Sequence, residues 1–199
     1  MYTSLCAASL AFASSAVAIV TNKDGINYRA VLHPPGRYMV DTIDTMGNST
    51  FTQPVDHTNA SLGTFEQFYY YSSEFYAGPG SPVVFFTPGE VAAEGYQVYL
   101  STNTTPGVIA QQLGAAAVVV EHRYWGESSP FADLTTESLK YLTLNQSIAD
   151  FINFAENVEL PFDTDGSSVA SKAPWIFSGG SYSGALAAWT EASSPGTFW

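Results

Sequence analysis

From Trp175 to Trp189 the chain reads WIFS, then GGS, then YSGALAAW. A short apolar run stops at two glycines and a serine, and an alanine-rich apolar segment follows at once. That order reads as a buried strand turning sharply into a helix, with the Ser181 hydroxyl held clear of the sheet as in a nucleophile elbow. The same turn leaves the backbone N–H of Tyr182 at the start of a helix, where it can help stabilise an oxyanion. The pattern G-x-S-x-G is nearly met. Gly179 stands two before the serine, whereas Ser183 stands two after it and Gly184 one further on. A plain glycine–serine turn without chemistry is the alternative reading of this stretch.

Two earlier apolar runs set the context. Ser81–Thr87 (SPVVFFT) and Ala115–Val120 (AAAVVV) are continuous rather than alternating, which suits strands buried on both faces. Between them Gly107–Gly114 reads as a short helix with a glycine stop. Thr143–Val158 reads as a longer helix, with Leu144, Ile148, Phe151, Ala155 and Val158 on its apolar face and Thr143 with Gln146 forming a capping box. Upstream, Phe51–His57 and Thr64–Tyr71 read as two antiparallel strands. The order from residue 82 is therefore strand, helix, strand, helix, strand, elbow, helix. That is an α/β architecture with a mainly parallel sheet and antiparallel leading strands, as in the N-terminal half of an α/β-hydrolase fold. The loop after the first buried strand, Pro88-Gly89-Glu90, is where such a fold places its second oxyanion donor. Backbone N–H groups of Gly89 and Glu90 are candidates, and Glu90 could instead hold a substrate's amino end by charge. The cluster Glu121-His122-Arg123 at the end of the second buried strand reads as an internal ion-pair network. Asp56 and His57 read as a polar corner at a strand end, hydrogen-bonded to backbone.

Composition narrows the partners. The chain has 199 residues and a formal net charge of −12. With so few cations it offers no basic patch for nucleic acid. No metal-ligand spacing or cofactor motif appears. Residues 1–18 read as a secretory signal: an apolar, small-residue run ends in Ala16-Val17-Ala18, and it is too short for a membrane span. Cys6, the only cysteine, falls inside it. Four Asn-x-Ser/Thr triplets, at Asn48, Asn59, Asn103 and Asn145, fit a glycosylated secreted chain. Residues 19–50, broken at His33-Pro34-Pro35-Gly36, read as an irregular, propeptide-like lead-in. Residues 51–199 then read as a truncated α/β-hydrolase domain ending after the elbow helix.

In that fold the triad runs Ser, then Asp or Glu, then His. After Ser181 the chain holds no His and no Asp, and its only acid is Glu191, on the helix leading away from the serine.

Six segments together carry a family resemblance: Phe51–His57 (FTQPVDH), Thr64–Tyr71, Pro82–Glu90 (PVVFFTPGE), Glu121–Gly126 (EHRYWG), Tyr141–Gln146 (YLTLNQ) and Gly179–Gly184 (GGSYSG). The chain resembles the secreted and lysosomal serine peptidases that include Pro-Xaa carboxypeptidase, dipeptidyl peptidase II and the fungal acid prolyl endopeptidases. The resemblance implies a serine peptidase that cleaves peptides on the carboxyl side of proline, with Ser181 as nucleophile. It also implies a secreted or lysosome-like acidic location, and a triad Asp and His beyond an inserted helical domain. A fragment without those partners is expected to be inactive. A secreted esterase on the same fold and a non-catalytic secreted fragment are the competing expectations.

Overall fold

In the computed structural model the described residues are 45–199 apart from Thr164, together with the backbone of three strands upstream. The chain divides into two units, residues 1–44 and 45–199. In the first, β1 (Val17–Thr21), β2 (Asn27–His33) and β3 (Arg37–Thr42) form an antiparallel sheet in the order β1-β2-β3. The lead-in is thus built of paired strands where irregular chain is expected. Of the His33-Pro34-Pro35-Gly36 break, residues 34–36 lie outside the described residues. Residues 1–16, most of the signal-like segment, lie outside the described residues.

The second unit holds a five-stranded sheet in the order β4-β5-β7-β6-β8. β4 (Met46–Pro54) and β5 (Thr64–Ser72) pair antiparallel, and β5 pairs antiparallel with β7 (Ala116–Val120). β6 (Val83–Phe86) pairs parallel with β7 on one side and with β8 (Trp175–Ser178) on the other. The expected α/β arrangement of parallel strands with antiparallel leading strands is therefore present. β4 begins five residues before the expected Phe51. Asn48 alternates outward on it and is exposed, so a polar residue in the run does not break the strand.

Three helices cover the sheet. α1 (Thr105–Leu113) ends at Gly114, whose φ of 62° is the left-handed stop. α2 (Leu144–Asn157) starts at Thr143, whose hydroxyl accepts the N–H of Gln146. Only that half of the capping box forms, because the Gln146 side chain turns away to Asp56 and to the N–H of His57. α3 (Ser181–Ser193) follows β8 directly. Among the described residues no helix is long and apolar enough to cross a membrane.

Side chains of β6 alternate between two cores. Val83 and Phe85 join Val118, Phe151, Phe154, Trp175 and Leu186 on the face covered by α2 and α3. Val84 and Phe86 join Leu100, Ala110, Ala117 and Val119 on the face covered by α1. Burial on both faces is the reason β6 and β7 are apolar at every position. Phe85 is the hub of the first core. Its ring meets Phe151 at 5.3 Å, Phe177 at 4.6 Å and Phe198 at 5.4 Å in edge-to-face geometry. Truncating it leaves a cavity that rigid strands on both sides cannot close. Phe85→Ala is expected to lower unfolding stability by about 3–5 kcal/mol, read from urea denaturation. A loss below about 1 kcal/mol would show that the site collapses easily and that Phe85 is not a hub.

Candidate active site

Parallel strands present their carboxyl ends at one edge, and ligand sites gather there. β6 lies between β7 and β8. Its continuation, Thr87-Pro88-Gly89-Glu90, therefore sits between the segment after β7 (Glu121-His122-Arg123) and the turn after β8 (Gly179-Gly180-Ser181).

The turn is built on close approach. A Cβ at Gly179 would lie 2.5 Å from the carbonyl oxygen of Ser183, so strand and helix touch where only glycine fits. Gly184 is less tight: its added Cβ would lie 3.1 Å from the Gly179 carbonyl oxygen. Ser183 stands where the common motif has glycine. It is buried with its hydroxyl unpartnered, so the departure from G-x-S-x-G is accommodated at the strand–helix contact. Ser181 itself has φ 54°, in the left-handed region. A non-glycine residue there costs about 1–3 kcal/mol and persists only when its surroundings enforce it. Ser181 is exposed at the tip. It opens on a cavity of about 820 Å³ lined also by Glu90, Tyr182, Pro106 and the rings of Phe86, Tyr96 and Tyr99. Those rings stack, Phe86 on Tyr99 at 4.2 Å. Phe86 ends β6, whereas Tyr96 and Tyr99 come from the link between β6 and α1, a stretch with no periodic signal in the sequence.

Gly89 takes φ 79°, and a Cβ there would press to 3.1 Å on the Tyr182 ring. Its bare Cα lets Tyr182 cross the end of β6. The Tyr182 hydroxyl then reaches His122 Nε2 at 3.1 Å. His122 Nδ1 lies 2.9 Å from the carbonyl oxygen of Arg123. A carbonyl only accepts, so Nδ1 carries the proton and Nε2 is free to accept from Tyr182. Burial, with the charge of Glu90, holds the Tyr182 phenol above its ordinary range and hence protonated. Burial also holds the His122 imidazole below its ordinary value and hence neutral. Gly89 N–H donates to Thr87 Oγ1 at 3.3 Å. Glu90 is exposed and lines both the large cavity and a smaller one of about 310 Å³ shared with His122, Trp125 and Tyr182.

The charged cluster after β7 differs from the expected pairing. Glu121 and Arg123 point to different partners. Arg123, fully buried, uses all five donors. Nε and Nη2 bind the two oxygens of Asp150 at 2.6 and 2.7 Å, and the rest reach the carbonyls of Pro54, Val55 and Tyr141. Asp150 also holds His57 Nε2 at 2.7 Å. His57 thus joins a buried ion network through its side chain, and only Asp56 remains a polar corner, closing a turn on Thr58. Glu121 is buried without a cation. Its carboxylate accepts from Ala93 N–H, Glu127 N–H and the Ser128 hydroxyl at 2.7–2.8 Å, enough donors to offset its desolvation. Gly126 faces it so closely that a Cβ would lie 1.9 Å from Oε1. Asp150 is missing from the sequence-based candidates. Its signal is an acid inside the buried face of α2, flanked by Ile148, Phe151 and Phe154.

The depressed pKa of His122 ties stability to pH. The folded state binds this proton less readily than the unfolded chain, whose value is near 6.5. Stability is full above that value and is lost as pH falls below it towards the folded pKa. Relative to His122→Gln, wild-type stability is expected to fall by up to about 1.4 kcal/mol per pH unit below pH 6.5. Urea unfolding from about pH 7 to 4 reads this, and parallel curves for the two proteins would contradict it.

The four sequon asparagines are exposed and lie on separate segments. Ser181, Tyr182 and Glu90 meet at one cavity, and Gly89 abuts Tyr182. Among the described residues no histidine is hydrogen-bonded to Ser181. His57 is bound to Asp150, and His122 to Arg123 and Tyr182.

Comparison with known proteins places this geometry. The "Serine carboxypeptidase S28" family profile matches residues 53–198. The chain is 48% identical over 176 residues to "Serine protease vicPa" of Bipolaris victoriae, covering 88% of this chain and 33% of that protein. It is 34% identical over 150 residues to "Lysosomal Pro-X carboxypeptidase" of Pongo abelii, covering 73% and 28%. It is 32% identical over 157 residues to "Probable extracellular serine carboxypeptidase" of Arthroderma benhamiae, covering 75% and 22%. The chain thus spans a third or less of the length of these relatives. The matched region takes in β5 to α3, including the strained serine, its glycine turn and the buried cluster after β7, and the chain belongs to the serine carboxypeptidase S28 family.

Proposed function

We propose that Ser181 is the nucleophile of a serine peptidase that cleaves peptides on the carboxyl side of proline. The observation that carries this reading is Ser181 at φ 54° on the β8–α3 turn, exposed and lining the large cavity. The hydroxyl attacks the scissile carbonyl. The resulting oxyanion lies against the N–H of Tyr182 in the first turn of α3, with Gly89 and Glu90 as the neighbouring loop. Proline selectivity draws support from the name of the Pongo abelii relative. Glu90 has no cation partner among the described residues and faces the cavity, so it can meet a substrate's amino group by charge.

Activation of Ser181 comes from outside the described residues, because both described imidazoles are committed elsewhere. A hydroxyl without a base is a weak nucleophile, so the 199-residue chain alone is inactive as a peptidase. Secretion into an acidic or extracellular space accords with the signal-like start and with four exposed sequons. A net charge of −12 is relieved by protonation in acid.

Two expressions test the reading together. The complete reading frame containing this chain is expected to cleave proline peptides at acid pH, and Ser181→Ala to lower kcat about 10⁶-fold. The isolated chain is expected to release no product from the same peptides. Ester hydrolysis without cleavage after proline would overturn the substrate reading. Robust cleavage by the isolated chain, lost in Ser181→Ala, would overturn the account of the base.

A further inference from the structure

We propose that His122 is a positioning residue for the nucleophile turn: it holds the Tyr182 side chain across the end of β6, and through it fixes Ser181 and the Tyr182 N–H. This rests on Ser181 being the nucleophile.

The turn has little stiffness of its own. It contains two adjacent glycines, and Ser181 sits in a conformation that L-residues rarely adopt. Gly180, the N-cap of α3, provides no side-chain cap. Yet a reacting serine and an oxyanion donor have to be held within a fraction of an ångström. Something outside the turn must hold it.

Tyr182 is placed to do so. Its backbone belongs to the turn, while its ring crosses Gly89 and its hydroxyl ends on β7's continuation. From the first turn of α3 the side chain passes Gly89, beyond the end of β6, and reaches His122, beyond the end of β7. A phenylalanine would fill the same space without a fixed end. The hydroxyl makes the difference, and among the described residues its hydrogen-bond partner is His122 Nε2.

His122 in turn is held by its own contacts. It is buried, its Nδ1–H donates to the Arg123 carbonyl, and its ring packs edge-on against Trp125 at 5.0 Å and Phe151 at 6.0 Å. Arg123 is fixed by Asp150 of α2 and by carbonyls at the end of β4. The turn is therefore braced, through one tyrosine and one neutral histidine, to the buried Arg123–Asp150 network. Gly89 is part of the device, since any side chain there would push the ring away.

The test uses the 199-residue chain and p-nitrophenyl acetate at alkaline pH. Ser181 Oγ forms a bond to the acetyl carbon, the bond to p-nitrophenolate breaks, and the hydroxyl proton passes to solvent hydroxide. Peptide mass spectrometry reads acetylation at Ser181 against surface serines. Ser181 is expected to acetylate faster than those serines. Tyr182→Phe and His122→Leu should each slow it about 10²-fold. The double variant should be no slower than either single, because both remove one contact. His122→Gln, whose amide oxygen can accept from Tyr182, should restore most of the rate. Circular dichroism and thermal melting verify the fold. If His122→Leu does not fold, Tyr182→Phe and His122→Gln still decide. Wild-type rates in Tyr182→Phe, or additive losses in the double variant, would overturn the brace and leave the nucleophile standing. Acetylation of wild-type Ser181 no faster than of surface serines would remove the nucleophile and the brace with it.

Discussion

Everything at the candidate site depends on β6 being hydrogen-bonded in parallel on both sides and buried on both faces. Parallel pairing brings three strand ends to one edge. Two-faced burial fixes the register, since a slip of one residue would exchange Phe85 for Phe86 between two differently shaped cores. With the register fixed, the β6 loop has to lie between the elbow and the segment after β7. The side chain of Tyr182 then bridges them in close contact with Gly89, which has no side chain to press on the ring.

A second constraint is the burial of charge. The segment after β7 carries three consecutive ionisable residues into the interior, and each is handled differently. Glu121 is satisfied by two backbone N–H groups and a hydroxyl. His122 stays neutral. Arg123 spends every donor on Asp150 and on carbonyls. Such networks contribute little net stability against an apolar core, but breaking one partner leaves an uncompensated charge. Their use here is positional: they make the end of β7 stiff enough for the elbow to lean on.

The parallel core was legible in the sequence because two-faced burial writes itself as unbroken apolar runs, and α2 because its period is clean. The elbow was legible because strand, glycine turn and helix follow within a dozen residues. What could not be read depended on contacts between distant segments. His57 reads as a corner residue until α2 folds over it and supplies Asp150. Glu121 and Arg123 look like a pair because they are two apart, yet Glu121 turns to Ala93, Glu127 and Ser128 while Arg123 reaches Asp150 on α2. Gln146 looks like half of a capping box, but Asp56, distant in sequence, offers it a better partner. The strands between residues 17 and 42 escaped notice because their polar and apolar residues follow no steady alternation.

The central claim is that the turn after β8 presents Ser181 as a nucleophile with the Tyr182 N–H aimed at the developing oxyanion. The most direct measurement is a crystal structure of the chain after forced reaction with an alkyl phosphonofluoridate at alkaline pH. The account predicts phosphorus bonded to Ser181 Oγ and the phosphoryl oxygen about 2.7–3.1 Å from the Tyr182 nitrogen. An adduct whose phosphoryl oxygen points away from α3, or modification of other serines with Ser181 untouched, would contradict it.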